Sequence, residues 1–258
     1  MAPRVRPGAR LTIEPAAPPA PEKSPVIPRP VIFVHGVRTS SAIWSSQVDA
    51  IARRGHRGVA IDLPGHGARA GERFTAEAAF AAIDEAVAGC AVPPLLVGLS
   101  LGGYTSLAYA ARREGALAGV VLAGCSTEIR GKPIGAYRRL AGHVTRTLDI
   151  GGDDWSVVTD MLRVLTGYSP LADLRGLDVP VWLVNGRRDP LRLDERRYLG
   201  AARPGTRLLV VPGAGHDVNT HQPVAFNRIL LDALHELHLP SLHLPALHLP
   251  APHLPAAA

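Results

Sequence analysis

Six short runs of aliphatic and β-branched residues punctuate this chain: Val31–Val34, Gly58–Ile61, Leu95–Val97, Gly119–Leu122, Val181–Val184 and Arg207–Val211. A strand that is apolar at both odd and even positions has to be covered on both faces, which is the condition of a strand inside a parallel sheet. The stretches between them, about 41–54, 74–89, 102–113, 192–202 and 223–236, have helical spacing and helix-forming composition. Strand and helix in alternation predict an α/β fold, a mostly parallel, doubly wound sheet with helices on both faces. Residues 126–170 break the rhythm, being too long for one crossover helix. Two amphipathic pieces there, Ile134–Leu148 and Asp154–Leu165, predict a small helical insertion.

The two ends read differently. Residues 1–30 hold nine prolines, a density that denies the backbone both helical geometry and ladder hydrogen bonds. They are expected to form a disordered Pro/Ala-rich arm in which only Leu11–Ile13 is able to pair as an edge strand. Residues 236–258 form a low-complexity tail that repeats Leu-His-Leu-Pro, with prolines at 240, 245, 250 and 255. The histidines at 238, 243, 248 and 253 raise the question of metal. The repeat offers no preformed geometry and no outer shell of partners, so no metal site is expected. The folded body is therefore 31–235, and at 258 residues the chain is long enough for one large core.

Charge and apolar content exclude several classes. The formal charge of +6 is carried by scattered arginines, and the first 30 residues alone hold five Lys and Arg against two Glu. No basic helix, aromatic platform or zinc-finger spacing accompanies it, so no nucleic-acid partner is expected. The longest apolar stretch, Leu117–Cys125, has nine residues where a membrane-spanning helix needs about 20. The N-terminus lacks the apolar core of a secretory signal, which makes the cytoplasm the expected compartment. Cys90 and Cys125 have no C-x-x-C spacing and are read as reduced. No cofactor is expected, and the oligomeric state is not legible.

The sharpest motif is Gly98-Leu-Ser-Leu-Gly102, between a predicted strand and a predicted helix. That context marks a nucleophile elbow, a turn so sharp that glycines are required two residues to either side of the serine because a Cβ there would clash. Ser100 would project above the carboxyl edge of the sheet, at the positive end of a helix dipole. A serine hydroxyl needs a base, and the base a carboxylate. Asp189 follows the strand Val181–Val184 and His216 follows Arg207–Val211, both at the same sheet edge and in the chain order Ser, Asp, His. Taken alone, Asp189 would be a turn residue before Pro190 and His216 a loop histidine; their order and matching positions give them roles. Glu128 is a competing acid, ranked behind Asp189, and Asp217 adjoins His216 too closely to reach its ring.

With His35-Gly36 and Asp62-Leu-Pro-Gly-His-Gly67, these segments resemble the α/β-hydrolase family of serine esterases, lipases and related acyl hydrolases over about 31–235. The resemblance implies that the backbone N–H groups of Val37 and Leu101 form an oxyanion hole, that His35 and the Asp62–Gly67 loop are structural rather than catalytic and have supporting roles, and that 126–170 is a lid. Arg38, Trp44, Cys125, Tyr137 and Trp155 are the candidate substrate contacts, and the remaining apolar lid positions include Leu140, Val158, Met161 and Leu165. The family's N-terminal strand pair has no clear counterpart ahead of Val31, so the sheet is expected to be shorter by a strand or two. Serine at position 100 disfavours dehalogenase and epoxide-hydrolase chemistry, which uses Asp there. The expected function is hydrolysis of a small to medium carboxylic ester through an acyl-enzyme. Thioester, lactone or C–C hydrolysis on the same triad and a ligand receptor with little turnover are the alternatives.

Overall fold

The structure is a computed structural model that describes residues 28–128, 130 and 156–238. Its centre is a six-stranded, wholly parallel sheet built from β1 (Val31–Val34), β2 (Gly58–Ile61), β3 (Leu95–Leu99), β4 (Gly119–Ala123), β5 (Val181–Gly186) and β6 (Arg207–Val211), in the order β2-β1-β3-β4-β5-β6. Every strand lies where the apolar runs predict it. Three of them extend a residue or two further at their carboxyl ends, β3 through Gly98-Leu99, up to Ser100.

The double coverage anticipated from continuous apolar runs appears as an alternation. Ile32, Val34, Leu96, Val120, Leu122, Val181 and Leu183 point into one core, and Val31, Phe33, Leu95, Val97, Leu99, Val121, Trp182 and Val184 point into the other. The first core is closed by α2 (Ala76–Ala88), α3 (Leu101–Ala110), α4 (Ser156–Thr166), α5 (Pro170–Gly176) and α6 (Glu195–Ala201). The second is closed by α1 (Ser45–Ala52), the single turn α7 (Val218–His221) and α8 (Pro223–Glu236). Side chains such as Leu96 and Phe33 are wholly excluded from water. Burying an aliphatic or aromatic side chain of this kind stabilises the fold by about 1.5–3 kcal/mol.

Local signals set the helix ends. The Thr75 hydroxyl accepts the Ala78 N–H at 3.1 Å and so caps α2, and Pro170 and Pro223 each stand in the first turn of their helices. Within the interval between β4 and β5, α4 matches the second predicted amphipathic piece, with Val158, Met161, Leu162 and Leu165 buried against the body. The helix α5 was not anticipated. The first predicted piece, Ile134–Leu148, and the Leu11–Ile13 edge strand lie outside the described residues, as do most of the arm and the tail. Among the described residues no helix is long and apolar enough to cross a membrane.

From β1 the chain turns to β2 on one side, and β3 then forms on β1's other side, so the carboxyl ends of β1 and β3 flank the point where strand order reverses. Open α/β sheets bind ligands at such a point.

Candidate active site

The turn between β3 and α3 is held by close approaches that exclude side chains. A Cβ on Gly98 would come within 2.3 Å of the Gly102 carbonyl oxygen, and one on Gly102 within 2.2 Å of the Val34 carbonyl oxygen. Real Cβ atoms do not approach a backbone oxygen so closely, so both glycines of the motif are obligatory. Between them Ser100 is forced to φ 53°, ψ −114°, a backbone strain of about 1–3 kcal/mol that the surrounding packing has to hold. The Ser100 N–H donates to the Ala123 carbonyl at the end of β4, at 2.8 Å. Leu101 opens α3, so its N–H has no acceptor within the helix.

Asp189 and His216 are brought together by zipping two loops. The loops after β5 and β6 are joined by Arg187 N–H to the Val211 carbonyl and Arg188 N–H to the Ala214 carbonyl, both at 2.9 Å. Their approach leaves no room for a Cβ on Gly186, which would sit 2.0 Å from the Gly215 carbonyl oxygen. At the end of the paired loops Asp189 Oδ2 lies 3.0 Å from His216 Nδ1, while Oδ1 accepts the Leu191 N–H at 2.8 Å. The Asp189 side chain has no solvent exposure and His216 only 9%. Burial alone would lower the His216 pKa; the hydrogen bond that Nδ1 donates to Asp189, the charge of Asp189 and the charge of Asp217 outweigh it and raise the pKa above the usual histidine value.

His216 and Ser100 share one patch of β4. A Cβ on Gly124 would lie 3.2 Å from His216 Cε1, and Gly124 directly follows Ala123, whose carbonyl holds the Ser100 amide. The loop leaving β1 closes the patch from the other side, because a Cβ on Gly36 would be 3.4 Å from Ser100 Cβ. Ser100, Asp189, His216 and the Gly36–Val37 and Leu101 amides therefore gather at one place on the sheet edge. The carboxylate that lies against His216 Nδ1 is that of Asp189, whereas Glu128, the competing acid, is held through its backbone N–H, which donates to Asp194 Oδ2 at 2.9 Å.

Several predicted contacts are placed differently from the expectation. Trp44 does not line a cleft: its ring is fully buried between Phe33 at 5.1 Å and Phe226 at 5.9 Å, in the core on the α1 and α8 side. The Trp44 expectation is corrected on that ground. Cys125 is also fully buried, with its Sγ filling the space that a side chain on Gly103 would need, 2.6 Å from where a Cβ would stand. Burial, followed by the charge of Asp189, pushes its thiol pKa far up. Cys125 is thus an inert packing residue and not a substrate contact. Arg38 is half-buried, at φ 59°, and its backbone N–H donates to His66 Nε2 at 3.1 Å. Tyr137 and Trp155 lie outside the described residues. Among the described residues no group of three or more His, Cys, Asp or Glu is placed to hold a metal ion.

Sequence reasoning missed a polar brace behind the acid loop. Ser126 and Asn185 side chains hydrogen-bond each other, and the Tyr104 and Tyr198 hydroxyls donate to the Thr127 carbonyl at 2.8 and 3.0 Å. The Thr127 hydroxyl donates to the Leu191 carbonyl, two residues past Asp189. The segment leaving β4 is thereby tied to the loop leaving β5. Adjacency of β4 and β5 in the sheet was the signal able to suggest it.

A family model described as the alpha/beta hydrolase family matches residues 31–229. The chain belongs to that family. Its relatives include the rat protein named "Putative protein-lysine deacylase ABHD14B", 29% identical over 209 residues that cover 80% of this chain and 83% of the rat protein. Among solved structures it is similar to NosK from Streptomyces actuosus, 25% identical with a TM-score of 0.67, covering 83% of this chain and 100% of NosK. The enol-lactonase from Burkholderia xenovorans LB400 shares the fold at 19% identity and a TM-score of 0.64, covering 83% of this chain and 94% of that one.

Proposed function

We propose that this protein is a serine hydrolase that cleaves a small to medium carboxylic ester through an acyl-enzyme, its chemistry carried by the folded body of 31–235. The observation that carries the reading is the buried Asp189–His216 pair beside a serine held in the strained elbow at φ 53°. In this reading His216 takes the Ser100 proton as Oγ attacks the carbonyl carbon. Asp189 keeps Nδ1 protonated, which leaves Nε2 as the base, and stabilises the imidazolium that forms. The N–H groups of Val37 and Leu101 receive the oxyanion, whose charge develops only on the way to the tetrahedral intermediate. His216 then protonates the leaving alkoxide, and later draws a proton from the water that cleaves the acyl-enzyme. The lid role of 126–170 belongs to the same proposal, as does a cytoplasmic setting without cofactor.

The rat relative's name supplies a second reading, removal of an acyl group from a lysine amide. The same triad serves both, and the leaving group distinguishes them. A panel of p-nitrophenyl esters of increasing acyl length, acyl-CoA thioesters and Nε-acyl-lysine peptides, each under multiple turnover, tests the reading. Ester turnover exceeding amide and thioester turnover is the expected result. Preference for the peptides would shift the assignment to deacylation, and tight binding without turnover of any of them would favour a receptor.

A further inference from the structure

Two imidazoles meet edge to face beneath the loop that leaves β1, His35 and His66, with ring centroids 4.8 Å apart. Their partners fix their protons. The Leu63 N–H donates to His35 Nε2 at 3.0 Å, so His35 carries its proton on Nδ1 and donates to the Gly36 carbonyl at 2.7 Å. In the same way the Arg38 N–H donates to His66 Nε2 at 3.1 Å, and His66 Nδ1 donates to the Pro64 carbonyl at 3.0 Å. Each ring accepts one main-chain N–H and donates to one main-chain carbonyl, an arrangement open only to a neutral imidazole. Burial lowers both pKa values, which keeps the rings neutral.

These bonds bracket the Val37 amide. The Gly36 carbonyl and the Val37 N–H belong to one planar trans peptide and point in opposite directions. The Gly36 oxygen is held by His35 Nδ1 and by the Thr39 hydroxyl at 2.8 Å, which fixes where the Val37 N–H points. The next peptide, Val37–Arg38, is held through the Arg38 N–H by His66 Nε2, and Arg38 stands there at φ 59°. A left-handed conformation costs a non-glycine residue about 1–3 kcal/mol and persists only where partners impose it.

We propose that His66 is a positioning residue of the oxyanion hole: its unprotonated Nε2 takes the Arg38 N–H and holds the Val37–Arg38 peptide in the strained turn that presents the Val37 amide. This rests on the reading of Val37 as an oxyanion donor. His66 touches no reacting atom, and its contribution passes through Arg38 to Val37. Its loss should therefore lower kcat and leave KM nearly unchanged, because the oxyanion forms after the substrate binds. A residue that only stabilised the fold would not produce that division.

The test compares the full-length protein with His66→Leu and His66→Gln, using a p-nitrophenyl ester of the panel. His66→Leu should lower kcat by about 10²-fold, the lower end of the effect of losing an oxyanion donor, with less than a threefold change in KM. His66→Gln, whose amide oxygen reaches the place of Nε2, should recover most of the loss. In the unmutated protein, nitrogen NMR of the ring should find Nδ1 protonated and Nε2 bare at neutral pH, a measurement that decides the point even if the Leu variant fails to fold. A proton on Nε2, a His66→Leu variant with undiminished kcat, or a loss confined to KM would overturn the proposal. An unmutated protein whose Ser100 neither turns over an ester nor reacts with a fluorophosphonate would instead overturn the hydrolase reading on which it rests.

Discussion

His216 and the pair His35 and His66 are all buried histidines at one edge of one sheet, and burial pushes the pKa of each downward. Their outcomes are opposite. At His216 a buried carboxylate oxygen lies 3.0 Å from Nδ1, and the pKa rises. At His35 the nearest carboxylate, Asp62, is 4.0 Å away, and its two oxygens are already committed to the Ser41 N–H at 2.7 Å and the Ala68 N–H at 2.9 Å. The His35 pKa falls to about 4. One ångström of separation and two competing amides separate a ring suited to accept a proton from a ring locked as a neutral bracket. Burial alone does not raise a histidine's pKa; a carboxylate oxygen hydrogen-bonded to one ring nitrogen does.

Removing that carboxylate is the strongest way to break the contrast. Asp189→Asn is expected to lower kcat by about 10⁴-fold, because the imidazole loses both its orienting partner and the charge that stabilises its protonated form. Glu128→Gln should leave kcat within a few-fold, because the carboxylate on His216 Nδ1 is that of Asp189 and the backbone bond from Glu128 to Asp194 survives the substitution. Steady-state kinetics on both variants checks this, and the reverse ranking would move the acid to the loop after β4.

The two histidine environments should also carry opposite pH signatures in stability. Between about pH 6.5 and 4 the unfolded chain binds a proton at position 35 that the folded protein refuses. Stability from this residue is therefore full above pH 6.5 and is lost as the pH falls, by about 3 kcal/mol at most. His216, with its raised folded pKa, contributes stability that is full below pH 6.5 and lost as the pH rises through the folded value. Denaturant titrations from pH 7.5 to 4.5 should show the parent losing stability faster than His35→Gln. Parallel curves would mean that His35 is not held neutral.

A smaller effect sharpens the comparison in the activity itself. In the proposed mechanism His216 is a base only when unprotonated, so its raised pKa should place the acid limb of kcat/KM above pH 6.5. In the residual activity of Asp189→Asn that limb should move to lower pH, as burial acts without the opposing carboxylate. A limb that stays in place would show that another group sets it.

Much of this site was legible before the structure, for a physical reason. A parallel sheet places the end of every strand on one edge, so knowing the strands and their direction was enough to collect Ser100, Asp189 and His216 there. The elbow glycines were legible from the spacing of the motif, although only the clash at Gly98 is local, with Gly102 four residues on; the one at Gly102 is with the Val34 carbonyl of the neighbouring strand β1. Trp44 was misplaced because it stands at the junction of a 3₁₀ turn, Ser41–Trp44, and α1, where helical phase changes, and because its partner Phe226 is far away in the chain. The helix α5 has seven residues and α7 four, too few to display a period. The bond from Arg38 to His66 joins loops that follow the adjacent strands β1 and β2. Register brings those loops together, but only coordinates reveal which imidazole nitrogen accepts which amide.

In the proposed mechanism Ser100 is the nucleophile and the Asp189–His216 pair activates it. Labelling the full-length protein with a fluorophosphonate and mapping the adduct by peptide mass spectrometry tests it most directly. One adduct is expected, on Ser100, formed much more slowly in Asp189→Asn and absent from Ser100→Ala. An adduct that persists in Ser100→Ala, or labelling of Ser100 at an unchanged rate without Asp189, would contradict it.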